Sequence, residues 1–407
     1  MRIAFISPFF PLKGGISRFS GQLADELQAK GHAVLRYGFR ELFPSFLVRG
    51  HSSGIPEPDP ETTAQGASST ASAQGAFSAA SAQGASSTAS INSPASGIVL
   101  YNPFSWFSLL RRLRQERPDV LLLAYWTGFL APLYFVLRRL SGIPGIVLLH
   151  NLSSHERFLS EPLLRRLLLS TADGFITLSP AVSRELAACG SSKPVRELFH
   201  PVYGASSPAL PERKEARRKL GLEEEAPVLL FFGYVRRYKG LDLLLQAMPS
   251  ILSAYPSGRL LVAGQFYEPE APYRKLVASL GLARHVELRP GYVSDAEAEL
   301  LFAAADAVVL PYRTATQSGV VQLAYGYGAP VIVTPVGSLA AQVLPGLTGM
   351  VAAEVSPEAI ARTVRAFLAD VPARERMPEH IRSYSREHSW EALAEGAGSF
   401  LETAVRR

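Results

Sequence analysis

The stretch VLLFFGYVRRYKGLDLLLQAM, residues 228–248, contains a strand pattern, a loop pattern and a helix pattern in succession. Its first five residues are apolar without interruption, which is typical of a strand buried on both faces of a sheet. Gly233 and Gly240 bound a basic loop, and a leucine-rich segment begins at Leu241. A buried strand that leads into a helix is the repeating unit of a parallel α/β sheet.

The same alternation continues toward the C-terminus. Apolar strand patterns recur at 260–263, 285–288, 307–310 and 331–334. Between them, Ser294 with Glu297 forms a capping-box pattern, and Ser356 before a proline marks another helix start. Residues 227–385 are therefore predicted to form one doubly wound domain, preceded by a polar, proline-containing linker at 205–226.

The N-terminal half repeats this organisation. Strand patterns occur at 3–7, 120–124, 146–150 and 175–178, and the first helical segment carries its apolar residues on one face: Ile16, Phe19, Leu23 and Leu27. A chain of 407 residues exceeds what one hydrophobic core usually serves. We therefore predict an α/β protein with two Rossmann-like, doubly wound parallel-sheet domains, the first spanning residues 1–204.

A low-complexity insertion interrupts the first domain at about residues 51–97. A nine-residue unit that begins Ala-Gln-Gly-Ala occurs three times, at 64–72, 73–81 and 82–90. A stacked repeat fold would need a core, but Phe77 is the one bulky residue in the three units. Because so little apolar side chain offsets the entropy of ordering, we predict a disordered surface segment.

Composition restricts the possible partners and compartments. The net charge of +6 and the pI of about 9.4 favour anionic partners such as nucleotide phosphates or acidic membranes. Nucleic acid is a weaker alternative because the sequence has no recognition motif for it. The single cysteine, Cys189, excludes an internal disulfide framework and fits the cytoplasm. Residues 120–137 have the length of a membrane span, but Gly128 and Pro132 predict a strand, a turn and a helix instead.

Ligands of open parallel sheets bind beyond the carboxyl ends of the strands. After the first strand, Gly14 and Gly15 would let the backbone approach a donor ligand, although the dinucleotide fingerprint G-x-G-x-x-G is absent. After the strand at 228–232, Gly233 precedes two candidate catalytic cations, Arg236 and Lys239. Their charges suit a leaving diphosphate, and a solvated basic turn is the alternative.

Two further loops carry candidate binding residues. Hydroxyl, amide and glycine groups at a helix start form a predicted donor cradle for an anion or sugar: Thr316, Gln317, Ser318 and Gly319. In the first domain, His150 is a candidate catalytic residue that would hydrogen-bond the sugar or acceptor. Candidate acceptor-binding residues surround it: Trp126, Asn151, His155 and Glu156. The histidine spacing matches no standard zinc pattern, so no metal is expected.

These motifs resemble the family 4 glycosyltransferases, whose fold is called GT-B. The resemblance rests on the glycine pair, on YWT at 125–127, HN at 150–151, FFG and YKG at 231–240, DAVVLPY at 306–312, residues 316–330 and SWE at 389–391. It implies two domains that face a central cleft, with the donor in the second, the acceptor in the first, and residues 386–407 as a helix returning to the first domain. It also implies retaining transfer from a nucleoside-diphosphate sugar to a glycan or lipid-linked acceptor, without metal or other cofactor.

This chain departs from the family pattern at three positions. Members usually have a basic residue where this chain has Tyr234, and two glutamates where it has Ala315 and Leu323. We therefore assign the phosphate role to Arg236 with Lys239, and the sugar contacts to the cradle at 316–319. A sugar-nucleotide epimerase and a catalytically silent sugar-nucleotide-binding protein stay as alternatives.

Basic and apolar residues also cluster in the first domain. One cluster combines Arg111, Arg112, Arg114 and Arg117 with Trp106, Phe107, Leu109 and Leu110. A second places Arg165 and Arg166 among leucines at 163–169. Such segments either pack their leucines into the core or lie on anionic lipid. We predict peripheral contact with the inner face of the membrane.

Overall fold

The computed structural model describes residues 1–10, 12, 15–42, 97–152, 160–204, 210–315 and 318–406. The predicted insertion at 51–97 lies outside the described residues except for its last position. The chain divides into two compact units, which we call the first domain (Met1–Phe199 with Trp390–Arg407) and the second domain (His200–Ser389).

The first domain is built on a parallel sheet of six strands. They are β1 (Arg2–Ile6), β2 (Ala33–Tyr37), β5 (Val120–Tyr125), β6 (Gly145–Leu149), β7 (Gly174–Thr177) and β8 (Val195–Glu197), in the spatial order β2-β1-β5-β6-β7-β8. β3 (Phe39–Glu41) and β4 (Ile98–Val99) form a separate parallel pair. Every residue of β5 and β6 is buried, as expected for strands covered on both faces.

In the described parts of this domain, five helices connect the strands: α1 (Gly15–Ala29), α2 (Pro103–Glu116), α3 (Ala131–Ser141), α4 (Glu161–Thr171) and α5 (Pro180–Ala188). Local chemistry sets their ends. The Asn102 side chain accepts a hydrogen bond from the Phe104 amide at the start of α2, and Ser179 accepts one from Val182 at the start of α5. The span candidate at 120–137 is β5, a 3₁₀ turn and most of α3. Within the described residues, every helix falls short of the length and hydropathy that a bilayer crossing requires.

The second domain repeats the architecture. Its strands are β9 (Val228–Phe232), β10 (Arg259–Gly264), β11 (Val286–Pro290), β12 (Ala307–Leu310), β13 (Val331–Val333) and β14 (Gly349–Val351), all parallel, in the order β11-β10-β9-β12-β13-β14. Its helices are α6 (Arg213–Lys219), α7 (Leu241–Ala254), α8 (Ala271–Ser279), α9 (Asp295–Ala304), α10 (Gly319–Gly326), α11 (Pro357–Ala369) and α12 (Val371–Glu387). Ser294 and Ser356 cap α9 and α11, as predicted.

The last helix, α13 (Trp390–Val405), lies in the first domain and contacts α1. The two faces of the first sheet are covered by different helices. Ile3 and Phe5 of β1 share a buried cluster with α1 and α13, whereas Ala4 and Ile6 share one with α2, α3 and α4. This alternation is the two-residue period of a strand buried on both sides.

The structure describes residues 210–226 of the predicted linker at 205–226. These residues belong to the second domain and contain α6, so the prediction of a linker is wrong there. The Arg217 side chain on α6 is 1% exposed and donates to the Asp306 carboxylate at 3.0 Å and to the Ala304 carbonyl at 3.0 Å. Asp306 also accepts from the Val228 amide at 2.8 Å, at the start of β9. A polar sequence thus forms an integral element of the domain, because its arginine has a buried acid partner.

The domain boundaries also differ from the predicted 204 and 385. Val202 is fully buried in the second-domain core, and its amide donates to the His388 carbonyl at 2.9 Å. The segments that enter and leave the second domain are therefore hydrogen-bonded to each other, and the domain spans 200–389.

We expect Arg217→Met to lower the free energy of unfolding by about 3–5 kcal/mol, because it leaves the Asp306 carboxylate buried without its main partner. Arg213 bonds the same carboxylate at 2.6 Å, but its side chain is 49% exposed. Arg213→Met should therefore cost about 1 kcal/mol or less. Urea unfolding of both variants measures the difference, and equal losses would contradict the assignment.

Candidate functional site

The carboxyl edge of the second sheet carries the loop predicted to bind phosphate. Gly233 follows β9 with φ of 96°, and Gly264 ends β10 with its Cα packed against the Gly233 carbonyl. A Cβ on Gly264 would lie 2.0 Å from that oxygen, so a side chain is sterically excluded there. The two glycines let the β9 and β10 loops run side by side.

Lys239 lies at the end of a 3₁₀ turn in this loop and is 6% exposed. Its ammonium nitrogen is 5.5 Å from the centre of the Tyr312 ring and 5.9 Å from that of Tyr234. Among the residues that the structure describes, no carboxylate lies within ion-pair distance of it. Burial, with a smaller contribution from the Arg236 charge, lowers the pKa of Lys239 to about 8. Among the described residues, the groups next to this largely buried cation are therefore aromatic ring faces and no acid.

Arg313 and Asp242 fix this loop, and neither was predicted from the sequence as a site residue. The Arg313 guanidinium makes two hydrogen bonds to the Asp242 carboxylate, at 2.7 and 2.6 Å. Arg313 also donates from its amide to the Tyr238 carbonyl at 2.7 Å and from its side chain to the Arg237 carbonyl at 3.0 Å. The only sequence signal was an acid in the first turn of α7.

Arg236, the second predicted phosphate ligand, is half-buried. The carbon of its guanidinium lies 4.5 Å from the centre of the Tyr267 ring, in the loop that follows β10. Tyr267 packs against Tyr234, whose ring lies 5.9 Å from the Lys239 ammonium, so the two cations lie along the same group of rings. The structure therefore brings together Gly233, Arg236 and Lys239.

Ser318 and Gly319 lie at the start of α10, at the carboxyl end of the neighbouring strand β12. The Ser318 hydroxyl is buried and lies 3.4 Å from the Tyr312 hydroxyl, so it is linked to the aromatic wall of the Lys239 pocket. Thr316 and Gln317 lie outside the described residues. Ala315 and Leu323, where the family has acids, pack as partly buried apolar side chains against the core.

In the first domain, β5 and β6 bring two predicted residues to one edge. His150 follows β6, is 8% exposed, and donates its amide to the Tyr125 carbonyl at 2.9 Å. Its imidazole packs edge-on against Phe19, with ring centres 4.9 Å apart. Trp126 follows β5 and is half-buried, and Asn151 is half-buried beside His150. His155 and Glu156 lie outside the described residues.

Gly15 is the first residue of α1, and Gly14 lies outside the described residues. A Cβ on Gly15 would meet no described atom within 4 Å, so packing within the chain does not require glycine there. In the described part of the chain, no group of three histidine, cysteine, aspartate or glutamate side chains is placed to hold a metal ion.

Two family profiles match this chain. The one described as glycosyl transferases group 1 matches residues 212–384, and the one described as glycosyl transferase 4-like domain matches residues 14–202. Together they cover most of both domains.

Curated relatives align over part of the chain. D-inositol 3-phosphate glycosyltransferase of Corynebacterium urealyticum is 31% identical over 188 residues, which is 44% of each chain. D-inositol 3-phosphate glycosyltransferase 1 of Catenulispora acidiphila is 31% identical over 215 residues, 51% of each chain. The chain thus spans about half the length of the curated relatives it matches.

Solved structures match over the whole chain at low sequence identity. A glycosyltransferase from Rickettsia africae has a TM-score of 0.69 at 12% identity, over 100% of this chain and 99% of that one. Sucrose-phosphate synthase from Thermosynechococcus elongatus has a TM-score of 0.67 at 20% identity, over 99% and 98%. HepE of Anabaena in complex with UDP has 0.68 at 15% identity, over 99% and 100%. These similarities establish a fold of the GT-B type, and with the two profile matches they show that the chain belongs to the family 4 glycosyltransferases, or glycosyl transferases group 1.

Proposed function

We propose that this protein transfers a sugar from a nucleoside-diphosphate sugar to a glycan or lipid-linked acceptor, with retention of anomeric configuration and without a metal ion. The observation that carries the proposal is Lys239, whose side chain is 6% exposed and has no carboxylate partner among the described residues, with its ammonium next to two aromatic rings. Removing an ammonium from most of its water without an acidic partner costs free energy, which a bound anion would restore. A diphosphate is the anion that the family and the glycine-lined loop favour.

The chemistry of transfer gives this cation a role. As the bond between the sugar and the diphosphate breaks, negative charge grows on the phosphate oxygens, and fixed cations in a desolvated site stabilise that charge. Lys239 and Arg236, which both lie in the loop after β9, would be these cations. The complexes of HepE with UDP and UDP-glucose support a donor of this class, and the names of the curated relatives support a sugar-transfer reaction.

His150 is proposed to orient the transferred sugar or the acceptor. It ends a buried strand beside Trp126 and Asn151, and its ring is held by packing against Phe19. In retaining transfer of this type, the leaving phosphate would serve as the base for the acceptor hydroxyl. His150 would therefore act mainly through hydrogen bonding.

The test is a screen of sugar nucleotides for hydrolysis and transfer, with the wild type and Lys239→Met. Methionine keeps the buried volume and removes the charge, so the fold should be at least as stable while turnover falls by about 10²–10³. Arg237→Ala, a cation of the same loop whose side chain is exposed, is the control and should stay near wild type. Near-normal turnover of the methionine variant would refute the phosphate role. A free epimerised sugar without transfer would favour an epimerase, and proton NMR of the product tests retention.

The pKa of Lys239 predicts a pH dependence. With the pKa lowered to about 8, donor-free protein loses this charge as pH rises through that value. We expect kcat/KM for the donor to fall above about pH 8. Lys239→Arg keeps its charge at these pH values, so its profile should be flat there. The same decline in both proteins would assign it to another group.

We further propose that the first domain contacts anionic membrane. On α2, a continuous exposed stripe runs through Phe104, Phe107, Arg111 and Arg114, which are three or four residues apart. Phe104 is 83% exposed, and Leu163 on α4 is 70% exposed beside the exposed Arg166. Leu109, Leu110 and Leu168, which belong to the two predicted clusters, are buried in the core and do not form part of this surface.

Exposed phenylalanine side chains followed by arginines suit the interface of a bilayer, where aromatic rings insert among the lipids and cations face the lipid phosphates. Helix α3 lies between α2 and α4 and adds the exposed side chains of Phe135 and Leu140. The occupant we propose is therefore an anionic bilayer, which would also bring a lipid-linked acceptor to this domain.

Vesicle co-sedimentation tests this surface. We expect binding to vesicles that contain phosphatidylglycerol, weaker binding as salt rises, and none to neutral vesicles. Arg111→Ala with Arg114→Ala should weaken binding by about 1 kcal/mol per charge, and Phe104→Ala with Phe107→Ala should weaken it at all salt concentrations. Tyr292→Ala, which removes an 87% exposed ring from the second domain, is the control. No binding at low salt would favour a soluble acceptor.

A further inference from the structure

Two cations and three tyrosine rings form a row along the loops after β9, β10 and β12. The Lys239 ammonium lies between the rings of Tyr312 and Tyr234. Tyr234 packs edge-on against Tyr267, with ring centres 5.0 Å apart, and the Arg236 guanidinium lies over the face of Tyr267. Both tyrosines at the outer end are about half exposed, so this arrangement borders solvent.

The main chain fixes the position of Tyr267. Its amide donates to the Val235 carbonyl at 3.1 Å, and the Val235 amide donates to the Gln265 carbonyl at 2.9 Å. These bonds continue the parallel pairing of β9 and β10 beyond the strand ends. The next residue, Glu268, accepts from the Arg237 amide at 2.5 Å and from the Tyr273 hydroxyl at 3.0 Å. The ring under Arg236 is therefore attached to backbone that is held from both sides.

Arg236 needs such support because the row of rings places it on the same side as Lys239, and its charge contributes to lowering the pKa of that lysine. Two like charges repel, and an arginine side chain has many rotamers that point away from a neighbouring cation. Attraction to an aromatic face restricts where the guanidinium plane can lie. Its N–H donors lie at the edges of that plane, where they match the geometry of phosphate oxygens.

We propose that Tyr267 is a positioning residue that holds the Arg236 guanidinium beside Lys239, so that both cations meet the diphosphate of the donor. This inference rests on the proposed function, since it takes a diphosphate as the ligand. Preordering the arginine removes an entropy cost from binding. Tyr267 thus acts through Arg236 and need not touch the donor.

The test is a double-mutant cycle on binding of UDP, GDP or ADP, whichever the wild type binds most tightly, measured by calorimetry. Tyr267→Ala should weaken binding by about tenfold, the upper range for a cation on an aromatic face. Tyr267→Phe keeps the ring and should bind like wild type. Tyr267→Leu keeps apolar bulk without a ring and should behave like the alanine variant. In an Arg236→Ala background, Tyr267→Ala should have no further effect.

The outcomes separate the two proposals. If folded wild type binds none of the three nucleotides, the proposed function fails and this inference with it. If wild type binds but Tyr267→Ala and Tyr267→Leu bind as tightly, only the positioning role is overturned. A loss from Tyr267→Ala that persists in the Arg236→Ala background would show that the tyrosine acts independently of the arginine. Tyr292→Ala in the adjacent loop controls for loss of an exposed ring, and melting temperatures check folding.

Discussion

The burial of the Lys239 charge is the constraint on which the candidate donor site depends. At the carboxyl edge of a parallel sheet the following helices present their N-terminal amides, and the β9 loop adds Lys239, which is 6% exposed, to that edge. Each neighbouring feature keeps the ammonium there. The glycines let the loops approach, Arg313 and Asp242 tie the loop to α7, and aromatic rings border the cation. A site held so closely is organised before any ligand arrives.

The same site has little acidic character. Where the family has glutamates, Ala315 and Leu323 pack against the core, and among the described residues the rings of Tyr312 and Tyr234 lie next to Lys239, with the Ser318 hydroxyl 3.4 Å from that of Tyr312. The local field is therefore more positive than it would be with two carboxylates nearby. Such a field favours binding of the diphosphate over binding of the sugar hydroxyls. Uncharged hydrogen-bonding groups in the α10 loop would therefore have to select the sugar.

Sequence patterns predicted the elements whose determinants are local. Continuous apolar strands, glycine-bounded loops and serine caps depend on neighbouring residues, and the predicted sheets, Gly233, Lys239 and the caps of α9 and α11 follow from them. Features set by distant partners were missed. Arg217 is buried because Asp306, 89 residues away, accepts its hydrogen bond. The domain boundary likewise depends on the bond from Val202 to His388, and the Tyr267 ring contacts Arg236 from another strand loop.

In the first domain, the position of His150 depends on the last helix. Trp390 begins α13 and packs against Phe19 with ring centres 5.2 Å apart, and Phe19 in turn packs against the His150 imidazole. Helix α13 is itself seated closely, since a Cβ on Gly396 would lie 2.7 Å from Leu198 and one on Gly398 would lie 2.8 Å from the His32 ring. The return of the chain therefore completes the packing around α1. Because Phe19 is the shared contact, the orientation of the candidate histidine is coupled to a helix more than 200 residues away in sequence.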